Sequence, residues 1–266
     1  MNKKVYCLLM AIPLLTGCAS FAGFAKESYD GRTIDKNEEA ISAYQARQEI
    51  IGEEKEAMAP TIPDFFFQEP LEFEGEELLM RILSDPIVIG KDVPEGRYII
   101  IRNFESGYLT VADSSGEVVY QQVLDFSSGN IELNLYDGMQ ISANSETDPL
   151  LLLANHPADS FHEYTIVGGP EQPPLEEGAY EFTNGIFHVG ADIKAGAYSV
   201  SLPMPSGGSG VKYFYLLNED KSYQIIEVVS SYFNEEEGAS LVVELEDSQI
   251  LYIKDFSSIV FSPVTE

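Results

Sequence analysis

The chain has 266 residues, with 44 Asp and Glu against 15 Lys and Arg, and a formal net charge of −29. Such a field repels phosphate-rich polymers and anionic headgroups, which argues against a nucleic-acid partner and against membrane adhesion through the protein surface. A solvated face that keeps the protein soluble accounts for most of the carboxylates.

Residues 1–17 open with Lys3-Lys4 and continue into an apolar run over 5–15 that ends on small residues. That is the pattern of a secretory leader, too short to span a bilayer as a helix and weakened further by Pro13. The run ends in Leu15-Thr16-Gly17-Cys18, which resembles the lipobox of bacterial lipoproteins. The resemblance implies cleavage between Gly17 and Cys18 and a diacylglyceryl thioether on the Cys18 sulfur. Two or three acyl chains, at about 0.8 kcal/mol per buried methylene, would hold the protein at a membrane by themselves. The expected location is therefore the outer side of the cell membrane, on a Gram-positive surface, or the outer membrane in a Gram-negative cell. Loss of Lys3 and Lys4 with the leader makes the mature chain −31. The two cysteines, Cys7 and Cys18, are then both spent, so no disulfide remains and stability must come from apolar burial.

Residues 18–84 read as an acidic tether with one helix over about 35–52. Asp35 is placed as N-cap with Glu38 three positions on, and Gly52 as the stop. Prolines mark 59–64 as a linker. The adjacent Phe65, Phe66 and Phe67 are expected to pack on the domain that follows. Residues 76–83 fit either a helix or a strand.

The remainder is an internal repeat, expected as one β-rich unit over 85–184 and a second over 185–266. Ile89-Gly90-Lys91-Asp92-Val93-Pro94-Glu95-Gly96-Arg97-Tyr98 returns as Val189-Gly190-Ala191-Asp192-Ile193-Lys194-Ala195-Gly196-Ala197-Tyr198. Further on, 131–143 matches 241–253, and the offset grows from 100 to 110. The stretch 203–210, rich in Pro, Gly and Ser, is the natural place for the extra residues. Strands are predicted at 98–102, 108–112, 118–124, 131–135, 139–143, 150–154, 164–167, 198–202, 212–217, 223–229, 241–245, 250–253 and 259–261, with more within 175–189. Asp137-Gly138 is read as the turn of a hairpin joining 131–135 to 139–143. The fold class is mainly β: two tandem related β-sandwich or small-barrel domains.

The repeated pattern Gly-x-Asp-[Ile/Val]-x-x-Gly-x-Tyr resembles a "VGxDIPAGxY" motif of surface lipoproteins and secreted proteins of Gram-positive bacteria. The resemblance implies a fold and a lineage, and no activity. Physically it describes a tight turn between strands. Asp92 accepts backbone N–H groups as the first turn residue, Pro94, replaced by Lys194 in the second copy, presets φ, and Gly96 takes a conformation closed to residues with a Cβ; Gly90 belongs to the same turn, and Gly190, Asp192 and Gly196 hold the matching places. Tyr98 and Tyr198 start the next strand with the ring in the core and the hydroxyl at the rim. Ligand binding by the two aspartates is the minority reading.

Chemistry-bearing patterns are sparse. The mature chain has no thiol nucleophile, and His156, His162 and His188 fall in no metal-ligand spacing. His156, Asp159 and His162 share one loop-like stretch, and surface histidines are the commoner outcome. Phosphate loops, dinucleotide fingerprints and nucleophile elbows are absent from the sequence, and no cofactor is expected. Glu235-Glu236-Glu237 offers oxygens without a calcium-loop spacing. The 15 tyrosines could stack on sugars, although the chain has no tryptophan. The expectation is a lipid-anchored, non-catalytic binding or envelope-structural module whose partner is an envelope protein or glycan. The alternative is a solute- or glycan-binding lipoprotein with a cleft between the two β units, and a carboxylate-pair hydrolase stands third. A cleft lined by tyrosines would favour the second of these; carboxylates facing each other across a pocket would favour the third.

Overall fold

The computed structural model describes residues 49–72, 79–82, 84–103, 107–124, 128–144, 150–154, 175–202, 211–229 and 241–264. The lipobox, the expected strand at 164–167, His156, His162 and Glu235–Glu237 lie outside these residues, as does most of the expected helix. Among the described residues no helix is long and apolar enough to cross a membrane.

The protein is mainly β. A first set of strands comprises β1 (Leu79–Ile82), β2 (Ile87–Val88), β3 (Gly96–Asn103), β4 (Gly107–Ala112), β5 (Val118–Leu124), β6 (Ile131–Leu135), β7 (Gln140–Asn144) and β8 (Leu150–Ala154). A second set comprises β9 (Tyr180–Phe182), β10 (Asn184–His188), β11 (Gly196–Ser201), β12 (Val211–Leu217), β13 (Tyr223–Val229), β14 (Leu241–Leu245), β15 (Ile250–Ile253) and β16 (Ile259–Pro263). The segment 76–83, read as helix or strand, supplies β1.

Strand order repeats between the sets. The first has β2-β7-β4-β5 in one sheet and β1-β8-β3-β6 in the other; the second has β10-β15-β12-β13 and β9-β16-β11-β14. Each pair of sheets turns its apolar faces into a common core. Tyr98, Ile100, Leu133 and Leu135 meet Leu109, Val111 and Ile141 in the first. Tyr198, Val200, Val243 and Phe261 meet Phe214, Leu216 and Leu251 in the second. The sheets are open, so the small-barrel alternative does not describe them.

Two details correct the sequence reading. Strands β6 and β7 do not form the expected hairpin: β6 pairs with β3, and β7 with β2 and β4, in a different sheet. Alternation puts Ile131, Leu133 and Leu135 on one wall of the core and Ile141 and Ala143 on the other, so the Asp137-Gly138 turn arches between sheets. The extra length of the second set also enters in two places. Gly96 and Gly196 are 100 apart; Leu109 and Phe214, opposite Ala143 and Ile253, are 105 apart; Ile131 and Leu241 are 110 apart. Residues are therefore gained before β12, in the 203–210 stretch, and again before β14.

The two sets share one sheet. Strand β6 pairs in parallel with β10, Asn184 opposite Ile131 and Gly185 opposite Glu132, which fuses half of each sandwich into eight continuous strands. Strands β1 and β9 pair within their own sets, with β8 and β16, so each set reaches back across the boundaries read at 84/85 and 184/185.

The segment 49–72 is a strap and not a free linker. Glu49 bridges Ile226, and the Ile50 N–H donates to Ile225 O at 2.8 Å. Residues 49–51 are thus not helical, and Gly52, read as the stop of a helix, instead precedes a single turn, α1 (Glu53–Ala57). A 3-10 turn at Asp64–Phe67 buries Phe65 and Phe66. The Leu71 N–H then bonds Asn134 Oδ1 at 3.0 Å, carrying the strap onto the first set.

Candidate functional site

The repeated motif builds the same turn twice. Gly90 and Gly190 sit at φ 83° and 100°, the left-handed region that disfavours a Cβ, and their N–H groups donate to Val93 O and Ile193 O at 2.6 and 2.7 Å. At Gly90 a Cβ would also collide with the Asp137 carboxylate. Asp92 Oδ2 accepts the Val88 N–H at 2.9 Å, and Asp192 Oδ2 the His188 N–H at 2.7 Å, four residues back in each case. The rings of Tyr98 and Tyr198 are buried, and their hydroxyls donate to Pro94 O and Lys194 O at 2.6 and 2.9 Å. This corrects the reading of Gly96: it is not among the positive-φ residues, because it already opens β3, and the left-handed position of the turn is taken by Gly90; Gly196 has φ 150°.

In the second copy, Asp192 has a further partner. Its Oδ1 accepts from the Arg97 guanidinium, which also donates to Glu132 on β6 and lies 5.9 Å from the centroid of the Phe187 ring. Arg97 is 9% exposed. Burial works against its charge, but Glu132 and Asp192 outweigh that and hold its pKa above the usual value. For Glu132 burial wins over Arg97, aided by Asp192, and the carboxyl is raised. Burial raises the carboxyl while the paired carboxylates raise the guanidinium, which is why both directions hold together. His188 is lowered, chiefly by burial and by the nearby Arg97, against the pull of Asp192. Two carboxylates do converge here beside a cavity of about 560 Å³, but they converge on a guanidinium, and the second Asp192 oxygen is taken by the His188 N–H.

Next to this latch lies a polar knot. Asn184, fully buried, donates from Nδ2 to Gly129 O and Asn130 O at 3.0 and 3.3 Å and accepts the Phe256 N–H at 2.8 Å. Gly185 passes so close to β6 that a Cβ would strike the Glu132 carbonyl oxygen.

A second cavity, of about 420 Å³, opens between the strap, β5 of the first set and β12 and β15 of the second. Its floor is Tyr252, whose ring meets Phe66 at 5.1 Å, stacks on Tyr215 at 5.5 Å and faces Tyr120 at 6.3 Å between centroids. The Tyr215 hydroxyl donates to Met58 O at 3.3 Å, and that of Tyr120 to Gln122 Oε1. The Tyr252 hydroxyl makes no hydrogen bond among the described residues, although the residue is only 7% exposed. Burial, followed by Tyr215 and Asp255, holds its pKa well above the ordinary phenol range, so it is a donor at physiological pH. Lys254, Gln121 and Thr61 complete the polar lining.

Among the described residues no group of His, Cys, Asp and Glu could hold a metal ion. No family model, curated relative or solved structure matches the chain. Of the two inter-set features only Asp192 belongs to a residue role read from the sequence; Arg97, Glu132, Asn184 and Gly185 beside it, and Tyr120, Tyr215, Tyr252 and Lys254 in the other, carry no pattern that marks them as a site. One signal was available: Arg97 and Glu132 stand where the second copy has Ala197 and Val242, charges at positions the other copy leaves neutral.

Proposed function

We propose that this is an exported lipoprotein, anchored through Cys18, with two tandem β-sandwich domains that form a non-catalytic binding module outside the cytoplasm. The tyrosine-lined cavity at the junction is its ligand site. The observation that carries this reading is the convergence of Tyr120, Tyr215, Tyr252 and Phe66 from both sets and the strap on one cavity, into which the Tyr252 hydroxyl opens with no hydrogen bond to a described residue. Aromatic walls with a few convergent polar groups and a volume of about 420 Å³ suit a small ring-bearing solute or the end of a glycan. A site shared by two sets of strands and a strap also supplies a reason for their fusion into one sheet. The shared guanidinium makes the Glu132 and Asp192 pair a structural latch on this reading, which favours binding over hydrolysis.

Two experiments test it. Cys18→Ala should abolish incorporation of labelled fatty acid and release the protein from membranes; labelling equal to wild type would overturn the anchor. The full chain carrying Cys18→Ser, incubated with glycans released from the envelope fraction, should retain a component that Tyr252→Phe loses. Equal retention by the two would overturn the cleft.

A further inference from the structure

The tyrosine cavity differs from its neighbours in charge. The cavity at Arg97 is bordered by Glu72, Glu132 and Asp192, and that beside Phe67–Pro70 by Glu69, Glu219 and Asp247. A fourth is bordered by Glu219, Asp220, Glu246 and Asp247. Among the described residues the lining of the tyrosine cavity holds no carboxylate, and its one charged residue is Lys254. With 44 acids to 15 bases, a lysine would be expected to find a carboxylate, yet Lys254 makes no ion pair among the described residues.

The hydrogen-bonding groups point the same way. Lys254 and Tyr252 offer donors that no described residue receives, while the acceptors in the described lining, hydroxyls, the Gln121 amide and main-chain oxygens, are all neutral. A donor-rich, carboxylate-free cavity suits an acceptor-rich, negatively charged group. The number of charges it tolerates is limited by its cation, since Lys254 is the one charged residue of the described lining. One negative charge can be matched by Lys254; a second would meet no cation in the described lining.

Resting on the reading of this cavity as a ligand site, we propose that its ligand is a singly charged sugar acid, the carboxylate at Lys254 and Tyr252 and the ring against Tyr215. The hydroxyls of such a ring have Gln121 and Thr61 within the same lining. The chain's overall negative field opposes any anion at long range, so selection is made locally, by the unpaired lysine.

The test compares three probes on one skeleton by isothermal titration with the full Cys18→Ser chain: D-galacturonate, D-galactose and D-galactose 6-phosphate. Galacturonate should bind about tenfold more tightly than either of the others, the value of one charge-assisted contact. Lys254→Met and Lys254→Gln, each checked for an unchanged melting curve, should remove that preference. Galactose binding as tightly as galacturonate would overturn the acid class and leave the cleft in place. Tighter binding of the 6-phosphate would overturn the single charge. If no probe binds, the sugar acid is refuted, and the envelope capture with Tyr252→Phe decides separately whether the cleft survives. A galacturonate tetramer tells a free ligand from a chain end: equal affinity per chain for monomer and tetramer indicates that one residue is recognised.

Discussion

Ser248 sits at φ 70°, where the equivalent position of the first set is Gly138 at 83°. A residue with a Cβ costs about 1 kcal/mol in that region, so Ser248→Gly should stabilise the protein by about 0.5–1 kcal/mol, read as a raised urea midpoint with unchanged slope. No gain would mean that the serine has a compensating partner. Asn184 is the opposite case, a side chain whose polar atoms all have partners from both sets. Asn184→Asp keeps the acceptor for Phe256 but turns a carboxylate oxygen toward two carbonyls. Asn184→Leu orphans the donor and acceptors alike. Each should cost about 3 kcal/mol in denaturant unfolding, and a cost below about 1 kcal/mol for both would remove the knot from the account of the junction.

At the scale of elements, the strap and the latch decide how the sets are held. Phe66 is buried against Phe65 and Tyr252, and Phe66→Ala should cost about 3–5 kcal/mol while also opening the tyrosine cavity. Glu132 allows a test by pH. Its carboxyl is raised above the ordinary glutamate value, mainly by burial, so the folded state holds the proton more firmly than the unfolded chain does. That contribution to stability is complete below about pH 4.5 and is lost as pH rises through the raised value. Glu132→Gln does not titrate, so its stability relative to wild type should improve from pH 4.5 to pH 7; a difference that is flat or moves the other way would show that Arg97 governs the carboxyl. The strands themselves were legible in the sequence because alternation of apolar residues fixes which face is buried, as along Ile131, Leu133 and Leu135. Sheet membership was not, because the same alternation serves a hairpin and an arch, and only the partner of β7 distinguishes them. The two inter-set sites were hidden for a related reason. Tyr252 and Tyr215 lie on the face of their sheet that points away from their own core, and nothing local to them shows what covers it.

For the whole molecule the consequence is cooperativity. The first core takes in Ile186, Leu217, Ile250 and Tyr252 from the second set, and one sheet runs through both. Either set expressed alone would expose that face, or leave the β6 edge unpaired. The full chain should therefore unfold in a single transition, with calorimetric and van't Hoff enthalpies that agree. The joint responsible is the narrow approach at Gly185, where a Cβ has no room beside the Glu132 carbonyl. Gly185→Val should force β10 from β6 and split the melt into two transitions, the second set keeping its own core of Phe214, Leu251 and Phe261. Two transitions in the unaltered chain would mean that the parallel pairing adds too little to couple the sets. The cavity between them would then open and close with their relative motion, and ligand would raise the two melting temperatures together.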